Sequence, residues 1–267
     1  MNTKPNVEII SSALAEDIKC FKIYSFETIG STNTTLKQYG ADGAEEGTTI
    51  LSFSQSGGRG RHGRTFFSPT GTGVYLSTLI RPSTYESVAD RVTSIAAVSA
   101  CEAIESVFPE VSAKIKWVND VFVENKKVCG ILSEAAFSHS GTLDYVVVGV
   151  GINLYPPKNG FPAEISETAG FIAKEKKEFA AELISAEFLN KFYGYYHKLP
   201  DNSYQKKYSD RCFVIGKTVD ILRAGSENGE TVSAEVLGID DDCRLIVKHE
   251  GGMIETLSSG EVRLRSW

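Results

Sequence analysis

The sequence predicts a mixed helix-and-strand domain over residues 1–212 followed by a small β-barrel over residues 213–267. Three observations predict it. A chain of 267 residues suits one large and one small unit better than a single core. β-rich runs alternate with helical stretches up to about residue 212. Beyond that point short β-rich runs follow one another, separated by Gly, Asn and Asp, which is the spacing of a compact all-β unit.

Taken in order, the first twenty or so residues read as a short helix, and Phe21 to Phe26 alternates like a strand. Ser31-Thr32-Asn33 precedes a helical stretch at Thr34 to Tyr39; Thr48 to Phe53 and Gly73 to Ile80 are β-rich runs on either side of a basic loop. Ser83-Thr84-Tyr85-Glu86 has the capping-box pattern. After it Val88, Val92, Ile95, Ala96, Ser99, Ala103 and Val107 recur at helical spacing, giving one small-residue face suited to packing on a sheet. Further strands are expected at Ile115 to Trp117, Val121 to Val123, Val128 to Ser133 and Tyr145 to Val150, with a hairpin turn at Asn125-Lys126. Lys174 to Tyr196 reads as helical. The terminal unit supplies Thr218 to Leu222, Val232 to Ile239, Leu245 to Lys248, Ile254 to Leu257 and Val262 to Leu264.

Composition narrows the function. A net charge of -6 and a pI near 5.4 weigh against a general nucleic-acid binder. The longest nearly apolar stretch, Tyr145 to Tyr155, is too short for a bilayer, and the N-terminus shows no signal-peptide pattern. Cys20, Cys101, Cys129, Cys212 and Cys243 are scattered, with no CxxC pair; reduced thiols in the cytoplasm and no metal site are the expectation.

Against that acidic background residues 58–64 read Gly-Arg-Gly-Arg-His-Gly-Arg. Gly58, Gly60 and Gly63 formally match the dinucleotide fingerprint, which requires a helix to start in the loop. Here Thr65 to Gly71 is a poor helix start interrupted by Pro69, so that reading is set aside. Glycines let backbone amides approach a ligand, and interleaved arginines add forked donors for phosphate or carboxylate oxygens. Such a loop suits a small anion and is expected to be mobile when empty. His62 reads as a spectator.

Six segments in order now carry a resemblance. Ser31-Thr32-Asn33, Gln55 to Arg64, Lys116-Trp117-Val118-Asn119-Asp120, Lys126 to Leu132, Gly149-Val150-Gly151-Ile152-Asn153 and Gly260 to Ser266 resemble bacterial biotin protein ligases. The resemblance runs from about Tyr24 to Trp267 and is to the monofunctional type, since the thirty residues before Ser31 are too few for a winged helix. It implies an α/β (α+β) catalytic domain with a mixed sheet, of the class II aminoacyl-tRNA-synthetase and biotinyl/lipoyl-ligase kind, plus a C-terminal SH3-like barrel. It implies that biotin is activated with ATP and Mg²⁺ to biotinyl-5'-AMP and passed to a lysine of a biotin carboxyl carrier protein. Membrane and nucleic-acid partners are not expected; a homodimer is known in the family, and the sequence does not decide it.

The resemblance also distributes roles. Ser31, Thr32, Asn33, Gln55, Arg59, Gly60, Arg61, Lys127 and Gly130 would meet biotin. Arg59, Arg61, Arg64, Phe66, Lys127 and Asn153 would meet ATP or the adenylate. Lys127, Arg61 and Asp120 would carry the catalysis, Asp120 by handling the acceptor lysine. Two departures stand out: Val118 replaces a usual proline, and Phe66 replaces a tryptophan that stacks near adenine, so altered ATP affinity is expected.

The chemistry fits such residues. Two anions, a carboxylate and a triphosphate, must meet before an anhydride forms. Preorganised cations can contribute several kcal/mol each in a dry site, and holding reactants in register roughly 7–11 kcal/mol more. Plainer readings stand beside these. Trp117 reads as core, Lys116 as either solvated or facing the site, and Asn153 as a ligand more than as a turn cap. Arg265 either reaches ATP or bridges the domains. The rival functions are a lipoate ligase, whose Arg-Arg-x-Ser-Gly-Gly-Gly loop is absent here, and a biotin-responsive repressor.

Overall fold

The computed structural model describes residues 4–82, 91–222 and 231–264. Its larger sheet has the order β1-β2-β3-β7-β6-β5-β4. The strands are β1 (Ile23–Phe26), β2 (Thr49–Ser52), β3 (Gly73–Ile80), β4 (Lys114–Lys116), β5 (Asp120–Val123), β6 (Lys126–Phe137) and β7 (Leu143–Asn153). β1 and β2 run parallel and every other neighbour is antiparallel, so the sheet is mixed as expected.

Alternation along the central strands divides the labour of the two faces. Val74, Leu76 and Ile80 of β3, with Val146, Val148, Val150 and Ile152 of β7, enter the main core. Each such fully buried branched side chain contributes roughly 1.5–3 kcal/mol. The main core lies under α3 (Val92–Val107) and α4 (Ala180–Tyr196). On the opposite face Leu79 and Val147 pack with Leu36 of α2 (Thr32–Ala41), and beyond α2 the same face is left to Gly149, Gly151 and Asn153. That uncovered stretch of sheet is the floor of the site described below.

Both faces of α3 are buried, from Ser94 through Ala103, because α4 and α5 (Ser203–Arg211) cover the side away from the sheet. The expected single face was too narrow a reading. The capping box at residues 83–86 and Val88 lie outside the described residues.

Three local expectations are corrected. The β5–β6 turn is Glu124-Asn125, with φ of 48° and 63°, one residue earlier than expected; two successive positive φ values make the tight primed turn that matches strand twist. The helix expected from Lys174 begins only at Ala180. Before it, Lys177 N donates to Tyr155 Oη (2.9 Å) and Phe179 turns into the left-handed region (φ 55°), so tertiary anchoring displaces a good helix-forming composition. α5 was not anticipated; its sequence is polar except for Tyr204 and Tyr208, a pair one helical turn apart that is fully buried.

The C-terminal strands, β8 (Thr218–Leu222), β9 (Thr231–Ile239), β10 (Leu245–His249), β11 (Ile254–Leu257) and β12 (Glu261–Leu264), form an all-antiparallel sheet of order β11-β10-β9-β8-β12. It matches the SH3-like unit expected. Trp117, buried as expected, donates Nε1–H to Cys243 O (3.0 Å), and Arg91 pairs with Asp242 (2.8 Å), which joins this sheet to the rest.

Candidate active site

A cavity of about 340 Å³ opens over the uncovered floor of the large sheet. Every residue that the resemblance assigned to biotin, nucleotide or catalysis lines it: Ser31 to Asn33, Gln55, the loop residues, Asp120, Lys127, Gly130 and Asn153.

The start of α2 forms one end. Ser31 caps the helix from an extended backbone (φ -156°, ψ 130°), its Oγ accepting from Thr34 N (3.4 Å). Gln55 Oε1 accepts from Thr32 N (2.8 Å) and Thr32 Oγ1 (3.1 Å), while its Nε2 donates to Ser68 Oγ (3.2 Å). Asn33 is tied harder: Nδ2 donates to Leu132 O (3.1 Å) and Glu134 Oε2 (3.0 Å), and Oδ1 accepts from Ser77 Oγ (2.6 Å). Both amide hydrogens of Asn33 are thus used within the protein, and a ligand contact would have to go through Oδ1. A Cβ at Gly149 would lie 1.9 Å from that oxygen, so the strand residue beneath Asn33 has to be glycine.

The basic loop is a narrow arm rather than a helix start. Phe66 N donates to Gly58 O (3.0 Å) and Gly60 N to Arg64 O (2.7 Å) across it, with a single 3₁₀ turn, Arg61–Gly63, at the tip. His62 (φ 55°) and Gly63 (φ 73°) make that reversal. All three arginines have protein partners. Arg59 Nη1 lies 3.0 and 3.1 Å from the two oxygens of Glu134. Arg61 donates to Asn119 Oδ1 (3.0 Å) and Gly260 O (3.2 Å), and Arg64 pairs with Glu261. Burial lowers the pKa of Arg61 from its ordinary value, with Asp120 and Glu261 opposing.

Lys127, at the start of β6, places Nζ 2.6 Å from Asp120 Oδ1 on β5 and 6.0 Å from the centre of the Phe66 ring. The Phe66 ring lies on the Gly130–Gly151 strand pair: a Cβ at Gly130 would come within 2.9 Å of it and one at Gly151 within 2.7 Å. The Phe66 ring therefore packs on a two-glycine platform and meets Tyr75 edge-on, 6.1 Å between ring centres. The peptide bond before Val118 is cis.

Several lining residues were not among the expected ones. A strap spanning residues 161–170 closes one side; Lys127 N donates to Thr168 O (2.7 Å), Gly170 N to Lys127 O (2.8 Å), and Asn153 Nδ2 to Gly170 O (3.1 Å). No local signal marks that strap. Asn119 donates Nδ2 to Ile131 O (2.8 Å) and turns Oδ1 toward Arg61; its place in the Lys-Trp-x-Asn-Asp motif was the available signal. Lys116 faces the cavity, with burial lowering its pKa against the opposing charges of Asp120 and Glu261. Among the described residues Lys116 has no ion-pair partner within 4 Å. Arg265 lies outside the described residues.

The arrangement offers Arg61, Lys116 and Lys127 around one cavity, over glycines that admit a ligand to the strand backbone. That suits a ligand carrying more than one negative charge. Among the described residues no group of three His, Cys, Asp or Glu side chains could hold a metal ion, and no helix is long and apolar enough to cross a membrane.

The chain is similar to known proteins in both of its parts. Residues 25–153 match the Biotin/lipoate A/B protein ligase family, and residues 214–265 the Biotin protein ligase C terminal domain. The chain is 29% identical to the Biotin--[acetyl-CoA-carboxylase] ligase of Mycobacterium tuberculosis, over 87% of this chain and 85% of the relative. It is 29% identical to the Bifunctional ligase/repressor BirA of Bacillus subtilis, over 89% of this chain and 72% of the relative. Among solved structures, the biotin protein ligase from Aquifex aeolicus in complex with biotin and ATP is similar, with a TM-score of 0.70 and 26% identity, covering 92% of this chain and 97% of that one.

Proposed function

From the premise that the chain belongs to the biotin/lipoate A/B protein ligase family, with the biotin protein ligase C-terminal domain, we propose that it activates biotin with ATP to biotinyl-5'-AMP and transfers the biotin to a specific lysine of a biotin carboxyl carrier protein. The observation that carries this reading is Lys127 beside Asp120 under an arginine loop, over the Gly130–Gly151 platform.

In the first step a biotin carboxylate oxygen forms a bond to the α-phosphorus and the bond to pyrophosphate breaks. Lys127 and Arg61 neutralise the two anions that must approach, and Lys116 offers charge to the departing phosphates. In the second step the acceptor amine attacks the acyl carbon and AMP leaves. A phosphate oxygen that draws Lys127 away frees Asp120 Oδ1 to take the amine's proton. Ser31, Thr32 and Gln55 supply the polar end of the biotin subsite, and Asn153 the nucleotide side.

Mg²⁺ keeps most of its waters and commonly binds through one or two carboxylates together with substrate phosphates. Asp120 and Glu261, the carboxylates lining the cavity, fit a magnesium ion that arrives with ATP; it would supply charge to the triphosphate. We further divide the chain after Cys212, and the free thiols Cys20, Cys101, Cys129, Cys212 and Cys243 support a cytoplasmic setting.

The C-terminal match favours biotin over lipoate. The residues before Ser31 include α1 (Val7–Ala13), which docks on α4 through Asn6 N to Glu182 and Ala15 N to Asn190, and they lend no support to operator binding. Incubation with ATP, Mg²⁺, biotin and a carrier domain tests the proposal: pyrophosphate should appear and the acceptor gain the mass of one biotinyl group. Pyrophosphate release with lipoate but not biotin would overturn it.

A further inference from the structure

The two arginines of the Gly-Arg-Gly-Arg stretch take different partners because the 3₁₀ turn Arg61–Gly63 begins at the second. Residues two apart on an extended arm share a face, but Arg61 already lies in the turn, so Arg59 reaches Glu134 while Arg61 reaches Asn119 and Gly260. Glu134 is a built receptor, 16% exposed at its side chain. It accepts from Asn33 Nδ2 (3.0 Å) and Lys37 Nζ (3.2 Å), one helical turn apart on α2, as well as from Arg59. Desolvation raises the Glu134 pKa, but the Asn33 and Lys37 hydrogen bonds and the Lys37 and Arg59 charges outweigh it and leave the carboxyl below its ordinary value.

The doubled cation matters. If Arg59 swings away, Lys37 still neutralises the half-buried carboxylate, so release of the arm does not strand an unpaired charge. With Lys37 on the same carboxylate and Arg59 itself half exposed, the arm is held reversibly.

We propose that Glu134 is a positioning residue that pins the first arm of the basic loop through Arg59 and so sets how long the activated intermediate stays enclosed. What is enclosed rests on the biotin-ligase reading; the tether itself does not.

The test is hydrogen exchange on the ligand-free full chain, followed at the Gly60 and Phe66 amides that pair across the arm. Glu134→Gln should raise exchange there about five-fold, the scale of a partly exposed ion pair. Arg59→Gln, an exposed change that does not threaten the core, should do the same, and the double variant no more than either. Raised salt should speed exchange in the parent and not in the variants. Release of biotinyl-AMP from preloaded protein should accelerate by a similar factor. Unaltered exchange in both single variants, additive effects near about twenty-five-fold, or faster exchange with unaltered release would each overturn the proposal. If the parent forms no biotinyl-AMP, the functional reading fails and the tether is judged on exchange alone.

Discussion

Lys127 Nζ sits 2.6 Å from Asp120 Oδ1 across the β5–β6 hairpin, close to a register shift at Val121/Phe122. In the proposed function Lys127 serves activation and Asp120 serves transfer. Removing each member should therefore damage a different half-reaction. Lys127→Ala is expected to cut pyrophosphate release by about 10²–10³, the scale of a lost preorganised charge. Asp120→Asn is expected to slow transfer from preformed biotinyl-AMP by about 10²–10⁴, the scale of a general base, and more than it slows pyrophosphate release. Equal losses in both steps from Asp120→Asn would remove its separate role.

Lys116 lies in the cavity with burial lowering its pKa and no ion-pair partner among the described residues. Lys116→Ala should raise the KM for ATP about ten-fold and leave biotin affinity nearly unaltered, as expected for loss of a charge-assisted contact. Calorimetry with biotin and steady-state kinetics in ATP check this together. A matching loss of biotin affinity would instead place Lys116 in the biotin subsite.

The floor of the site tolerates no side chain at residue 149, where a Cβ would meet the Asn33 carboxamide at 1.9 Å. Gly149→Ala should destabilise the fold by about 1–3 kcal/mol and weaken biotin binding, since Asn33 must move or its hydrogen bonds break. Thermal melting and calorimetry read the two effects. A variant with the parent's melting temperature and biotin affinity would show that α2 shifts freely.

Acid should unpin the loop before it unfolds the core. For both Glu134 and Glu261 desolvation raises the pKa, but hydrogen bonds and neighbouring cations outweigh it, leaving the pKa below 4.5. Depressed carboxyl pKa values mean that their stabilisation is fully present above the unfolded value and is lost as pH falls through the folded one. Cleavage at Phe66 by pepsin, a protease active in acid, should therefore rise as pH is lowered through and below 4.5, in pulses read by mass spectrometry against a control peptide. Cleavage that does not change until the whole chain melts would contradict it.

How much of this was legible beforehand can be seen element by element. Gly73 to Ile80, Thr218 to Leu222 and Ile254 to Leu257 came out at their expected bounds, because a run of good strand formers bounded by turn residues is a local signal. The lysines and glutamates at 174–178 misled, because composition favours a helix there while Tyr155 holds the backbone elsewhere.

The candidate site divides in the same way. The sequence by itself determined the order of strands and helices, the cationic loop and the residue types on which the proposed chemistry draws. Tertiary structure alone decided where each arginine is spent: Glu134 is 75 positions from Arg59, and Glu261 is 197 positions from Arg64. Propensity and periodicity act over a few residues, whereas an ion pair depends on which chain segments the sheet order and the packing of its helices bring within a few ångströms.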